Sequence, residues 1–209
     1  MHLLSSSFVH GQRIPAEFAF CAPDPTQHVR MSGNRNPHLR WTGVPSTAKS
    51  LVLLCVDVDV PTRADDVNQE GRSVPADLPR TSFWHWVLVD IPPSVSEIPA
   101  GSASEGITAR GKGEPRGPKG SRQGLNDYTH WFAGDKDMAG EYFGYDGPCP
   151  PWNDEIIHHY VFTVYALDVE KLPVDGKFGG PEVRAAMQGH ILAEASLAGT
   201  YTLNASLLA

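Results

Sequence analysis

Three segments of the chain, 50–58 (S-L-V-L-L-C-V-D-V), 83–91 (F-W-H-W-V-L-V-D-I) and 156–167 (I-I-H-H-Y-V-F-T-V-Y-A-L), are apolar on both alternating faces. A strand with that pattern has to lie between two layers, because either face left open would put hydrocarbon in water. The regular strand–helix alternation of a doubly wound fold is missing between them. The expectation is therefore an all-β or α+β protein with a peripheral helix, not a Rossmann-like one. A weaker strand is expected at 199–203, with short ones around 13–20 and 38–41. One helix signal is clear: Gly179 and Gly180 form a breaker pair before Pro181, a residue suited to a first helical turn. Val183, Met187, Ile191 and Ala195 then recur at four-residue spacing, which predicts a helix to about Ser196.

Composition agrees with a strand-built, turn-rich chain. The 20 glycines and 18 prolines among 209 residues exceed the roughly 12% that the two supply on average. Hydrophobic residues at 41% are enough for a real core, and the length fits one domain spanning 1–209. Within it, 98–147 has little periodicity and carries eleven glycines from Gly101 to Gly147. A long glycine-rich loop is expected at about 101–146, and loops of that size are usually functional or mobile. Its first half is basic (Arg110, Lys112, Arg116, Lys119, Arg122). Its second half is aromatic and acidic (Tyr128, Trp131, Phe132, Asp135, Asp137, Glu141, Tyr142). Gly106 to Lys112 fits the first seven positions of a phosphate-binding P-loop. However, Gly113 stands where a hydroxyl must reach magnesium and no apolar strand precedes the motif, so it reads as a chance match in a solvated loop.

A net charge of −7 and a pI of about 5.7 argue against a general nucleic-acid binder and against adsorption to anionic membranes. The longest uncharged apolar stretch, 51–56, falls far short of the roughly 20 residues of a spanning helix. The first residues show no basic region or sustained apolar run, so no secretion signal is expected. Cys21, Cys55 and Cys149 are odd in number and far apart, giving neither a disulfide framework nor a metal knuckle. The expected location is cytoplasmic.

Several polar groups fall where apolar neighbours predict burial, and buried carboxylates and imidazoles must be paired. Asp57 and Asp59 close the first strand in D-V-D-V-P (57–61), and alternation puts both on one face. His85 lies inside the second strand. His158 and His159 open the third and face opposite ways. Each alone reads as a satisfied core residue. Together, beside the rigid G-P-C-P-P turn (147–151), they suggest a small anion pocket.

These same motifs resemble the phosphatidylethanolamine-binding protein family, closest to its bacterial and archaeal Raf-kinase-inhibitor-like branch. D-V-D-V-P, W-H-W-V-L-V (84–89) and G-P-C-P-P followed by H-H-Y-V-F-T-V-Y-A-L (158–167) carry the likeness. N-R-N-P-H-L-R-W (34–41), V-P-S-T-A-K-S-L-V-L (44–53) and H-I-L-A-E-A-S-L-A-G-T-Y (190–201) extend it over nearly the whole chain. The resemblance implies a mainly β protein: a two-sheet antiparallel β-sandwich with a few short peripheral helices. It also implies a pocket made of Asp57, Asp59, Pro61, His85, Gly147, Pro148 and His158; His159 is the variable position of H-x-Y. Val58 and Val60 stand where the family commonly has Pro and Ala. The segments 62–81 and 109–142 are longer than usual and suit a lid or an oligomer surface, and the C-terminal helix of eukaryotic members has no counterpart here.

The functional expectation is a binding protein for small phosphoryl or carboxylate anions, at most a phospholipid headgroup. His85 and His158 would donate to ligand oxygens, with Asp57 fixing a tautomer. No cofactor or metal is expected. The alternative is an enzyme at Asp57, His85 and His158, either with Cys149 as nucleophile or with those three residues holding a metal. Control of a protein partner through 101–146, and a homodimer, are further possibilities.

Overall fold

The computed structural model describes residues 1–113 and 117–208; Arg116 of the basic half-loop lies outside them. Ten strands run in chain order: β1 (His2–Leu4), β2 (Cys21–Asp24), β3 (His28–Met31), β4 (Leu39–Thr42), β5 (Ser50–Pro61), β6 (Arg80–Ile91), β7 (Glu97–Ile98), β8 (Arg122–Gln123), β9 (His158–Leu167) and β10 (Ile191–Tyr201). Two short α-helices, α1 (Tyr128–Trp131) and α2 (Gly180–Ala186), complete the set with two single 3-10 turns. The main sheet has the order β10-β9-β5-β6-β8 and is antiparallel throughout. A three-stranded sheet, β1-β4-β7, and the hairpin β2-β3 lie apart from it.

The two-faced strands do what their pattern demands. Leu51, Leu53 and Cys55 of β5 enter one core, shared with Leu3, Leu39, Trp41 and Ile98 of the smaller sheet. Val52 and Leu54 enter a second core, roofed by Leu172, Val174, Phe178 and, from α2, Val183. Each such side chain contributes roughly 2 kcal/mol by leaving water. The architecture is thus an antiparallel sandwich with peripheral helices, as expected. Among the described residues no helix is long and apolar enough to cross a membrane.

Three expectations are corrected. The helix stops at Ala186, and 191–201 is a strand. Val183 and Met187 are buried on one face of the helical region, but Gly189 turns the chain at φ +81° and Ile191 onward pairs with β9 from Leu167 to His158. Cross-strand pairing wins over an intrinsic helical spacing that continues only by coincidence. Around 13–20 no strand forms. Arg13 makes one isolated bridge to Thr200, and Ala16–Phe18 is a 3-10 turn after Pro15.

The cysteines are the third correction. Cys21 and Cys149 form a disulfide across 128 residues of sequence, and Cys55 is the free, buried thiol. Cysteine spacing had pointed away from a bridge because the contact is made by the tertiary fold: Phe20 and Cys21 both donate their N–H to the Pro148 carbonyl, at 2.9 and 3.1 Å.

The long segment 98–147 is packed against the body where it is described. Tyr142 and Tyr145 are fully buried. Asn36 Oδ1 accepts from the Ala103 and Ser104 amides.

Candidate functional site

The site is made by two interruptions in the β5–β6 ladder. Cys55 pairs with Trp86 and Val56 with Trp84, so His85 is an extra residue on β6. Such a bulge sets both His85 and Trp86 toward the same side of the sheet. Trp86 fills the first core, Trp84 the second, and His85 enters the pocket. The second interruption lies on β5, where three steps from Asp57 to Val60 match two on β6. It overturns the expectation that Asp57 and Asp59 share a face. Asp57 and Val60 line the pocket. Asp59 turns away and accepts from the His159 amide and ring Nδ1, at 2.7 and 2.8 Å, near the surface.

Behind the pocket floor sits a buried ionic chain. His158 donates from Nδ1 to Asp57 Oδ2 (2.8 Å) and from Nε2 to Asp154 Oδ2 (3.1 Å). The side chains of Asp57 and His158 are 2% and 1% exposed, so the ring must be charged to satisfy both carboxylates. Burial opposes that charge, but the hydrogen bonds from Asp154 and Asp57 prevail and hold its pKa up to about 9. Arg80 closes the chain with a two-pronged contact to Asp154, Nη1–Oδ2 2.6 Å and Nη2–Oδ1 3.0 Å. Burial would raise the Asp154 carboxyl; His158 and Arg80 together bring it below its ordinary value.

This arrangement fixes a pH dependence of folding. A histidine whose folded pKa (about 9) exceeds the unfolded 6.5 contributes stability that is complete below pH 6.5 and lost as pH rises through 9. The loss is expected to reach roughly 3 kcal/mol. Urea midpoints for the wild type should fall between pH 6.5 and 9.5, while His158→Gln should be less stable and nearly flat across that window. Equal slopes for the two proteins would refute the charged assignment.

His85 behaves differently. It is 3% exposed, and its Nδ1 lies 2.7 Å from the Asp146 carbonyl. A carbonyl only accepts, so Nδ1 carries the proton. Burial depresses the ring's pKa, with the Asp57 charge and the Asp146 carbonyl acting the other way. The resting ring is neutral, and Nε2, with no hydrogen bond among the described residues, is left as a lone pair. Asp146 is itself held from the long loop and from the segment before β4: its carboxylate accepts from Lys112 Nζ (2.6 Å), Asn34 Nδ2 (2.7 Å) and Asn126 Nδ2 (2.8 Å). Lys112, from the P-loop-like run, is thus an internal pin for the carbonyl that orients His85.

The pocket has a volume of about 200 Å³. Asp57, His85, His158 and Tyr160 form its polar floor, and the Tyr160 hydroxyl is buried facing the Asp57 carboxylate, with no well-aligned hydrogen bond among the described residues. Burial, then the Asp57 charge, push that phenol's pKa well up, leaving it a neutral donor. Pro61 is on the wall. Gly147 and Pro148 stand behind it. The Gly147 carbonyl accepts from Tyr128 Oη at 2.8 Å, and a Cβ on Gly147 would meet the Phe18 carbonyl oxygen at 2.2 Å. The segments 62–81 and 109–142 both line the pocket: Ala64, Val67 and Asn68 come from the first, and Tyr128, Trp131 and Phe132 from the second.

Sequence reasoning had reached Asp57, His85 and His158 but missed Arg80, Asp154 and Tyr160. The signal for Asp154 was present four residues before His158. The one for Arg80 was not, since it depends on the pairing of β5 with β6. Two chemical expectations also change. His158 has both ring nitrogens committed to carboxylates, leaving none for a ligand oxygen. Cys149 is in a disulfide and has no thiol to act as nucleophile. Among the described residues no group of three or more His, Cys, Asp or Glu is placed to hold a metal ion.

The family model for the phosphatidylethanolamine-binding protein matches residues 4–202. The UPF0098 protein YbhB of Escherichia coli is 30% identical over 203 residues, covering 97% of this chain and all of that protein. A UPF0098 protein of Methanothermobacter thermautotrophicus is 34% identical, over 85% of this chain and 89% of its own. Among solved structures, E. coli YbcL, described as a new member of the mammalian PEBP family, superimposes with a TM-score of 0.66 at 27% identity, covering 96% of this chain and 97% of that one. The Chlamydia trachomatis homologue CT736 gives 0.58 at 29% identity, with 96% and 95% coverage.

Proposed function

Since this chain belongs to the phosphatidylethanolamine-binding protein family, we propose that it binds small phosphoryl or carboxylate anions at His85. The observation that carries the reading lies on the floor: His85 Nε2, which makes no hydrogen bond among the described residues, beside the buried Tyr160 hydroxyl, a neutral donor that faces Asp57. An anion entering there favours protonation of Nε2 from solvent, converting it to a charged donor, and draws the Tyr160 hydroxyl from Asp57 into a second hydrogen bond. Asp57 and His158 do not touch the ligand as donors in this reading. His158 neutralises Asp57, so that the floor does not repel an anion; Pro61 stands on the wall, with Gly147 and Pro148 behind it.

Binding coupled to proton uptake weakens as pH rises. Acetate, fully ionised above pH 6, is expected to lose affinity between pH 6 and 8.5, by up to about tenfold per unit while the pH lies above the His85 pKa of the free protein and below that of the complex. Calorimetric titration of acetate and phosphate into wild type and His85→Ala tests it. Affinity independent of pH, or unchanged in His85→Ala, would overturn the proposal. The expected cytoplasmic setting has the Cys21–Cys149 bridge against it, because structural disulfides persist where the surroundings are oxidising.

A further inference from the structure

We propose that the pocket selects an anion carrying a flat apolar group, an aryl phosphate or aryl carboxylate, over both the bare anion and an acylated lipid. The inference rests on the anion reading above and names the ligand class for the same site. The walls carry it. Above the polar floor, Phe20 and Tyr128 stack with ring centroids 4.6 Å apart, and Tyr128 and Phe132 stack at 5.5 Å. Phe83 meets Tyr128 edge-on at 5.2 Å, and the His85 ring itself lies edge-on to Tyr128 and Tyr160, at 5.6 and 5.1 Å. Tyr128 is thus sandwiched between Phe20 and Phe132, and the group that receives the anion lies in a pocket lined by these rings together with Phe83, an aromatic surface against which another ring packs well.

The mouth extends the same chemistry outward. Trp131 and Met31 line the pocket yet stay 51% and 57% exposed. Large apolar side chains left open beside a concave site mark where a ligand's apolar part rests. A bare phosphate would reach the floor and leave both uncovered. Size excludes the opposite extreme. About 200 Å³ is below the 300–1,000 Å³ usual for drug-sized ligands, so the body of a two-chain lipid does not enter. Trp131, Phe132 and Tyr128 all come from the segment around α1, within the basic-then-aromatic insertion, so this selectivity belongs to that insertion and not to the strands that build the floor.

Calorimetry tests the proposal with four probes on the intact protein: inorganic phosphate, phenyl phosphate, glycerophosphoethanolamine and phosphatidylethanolamine vesicles. Phenyl phosphate is expected to bind at least tenfold tighter than phosphate, and more tightly than the headgroup or the vesicles. Trp131→Ala, at a half-exposed position, should narrow the phenyl advantage over phosphate about fivefold; a thermal melt checks that it folds. Equal affinity for phosphate and phenyl phosphate in the wild type overturns the inference while leaving the anion reading intact. Tighter binding to the vesicles overturns it in favour of a lipid. Failure of both phosphate and phenyl phosphate to bind overturns the anion reading and this inference with it.

Discussion

Replacing Arg80 by methionine is expected to cost about 3–5 kcal/mol of folding stability, the range for stranding one partner of a buried ion pair. For a chain of this length the melting temperature should fall by roughly 10 °C. The reason is the burial of what remains. The Asp154 side chain is 1% exposed, and without the guanidinium it shares one imidazolium with Asp57. Two carboxylates would then face a single positive charge away from water. Arg80 also donates to the carbonyls of Asp59, Pro75 and Leu78, so its loss frees the start of β6 and the 62–79 segment that walls the pocket. Methionine keeps the stem's packing, so the deficit reports the charge and its hydrogen bonds. Guanidinium titrations of wild type, Arg80→Met, Asp154→Asn and the double variant form the test. The two single losses should be far from additive, because both act on one network. A loss below 1 kcal/mol for Arg80→Met would mean that the chain of charges is solvated and contributes little.

The second large effect concerns the bridge between Cys21 and Cys149. Opening it, by reduction or as Cys21→Ser/Cys149→Ser, is expected to lower stability by about 2–5 kcal/mol. The loop it closes spans 128 residues, and closure of so long a loop removes much conformational freedom from the unfolded chain. A native-state effect adds to this, because both cysteines line the pocket and Cys149 lies between Pro148 and Pro150 in the turn that precedes Asp154 and His158. Differential scanning with and without dithiothreitol measures the loss. Peptide mapping without reduction should recover the Cys21 and Cys149 peptides joined, with Cys55 alone as a thiol. Three titratable thiols in the unfolded, unreduced protein would contradict the bridge.

How much of this was legible in the sequence depends on the range over which each feature is decided. The two-faced pattern of β5, β6 and β9 is local, and it correctly gave a sheet covered on both sides. The family motifs carried Asp57, His85 and His158 to one pocket. What failed was decided by contacts between distant segments. Ile191 and Ala195 fit a helical spacing, yet pairing with β9 made them strand. Cys21 and Cys149 met because the Pro148 carbonyl receives two amides from β2 and the residue before it. Asp59 left the pocket because β5 gains a residue relative to β6, and strict alternation has no means of showing that. Arg80 escaped notice since nothing near it in sequence marks a surface-type residue for burial beside an aspartate.

Two of the three irregularities in the β5–β6 ladder, the extra residues beside the pocket, behave like point defects in a lattice. The floor of the pocket is the place where two rows of the sheet fall out of step and then recover, and side-chain identity only decorates that mismatch. Substituting any single residue leaves the step in place. Removing one residue at His85, or at Val58–Asp59, would heal the ladder and turn every following side chain to the opposite layer. Sites of this kind are therefore gained and lost by single-codon insertions and deletions, and a library made only of substitutions would never sample their origin.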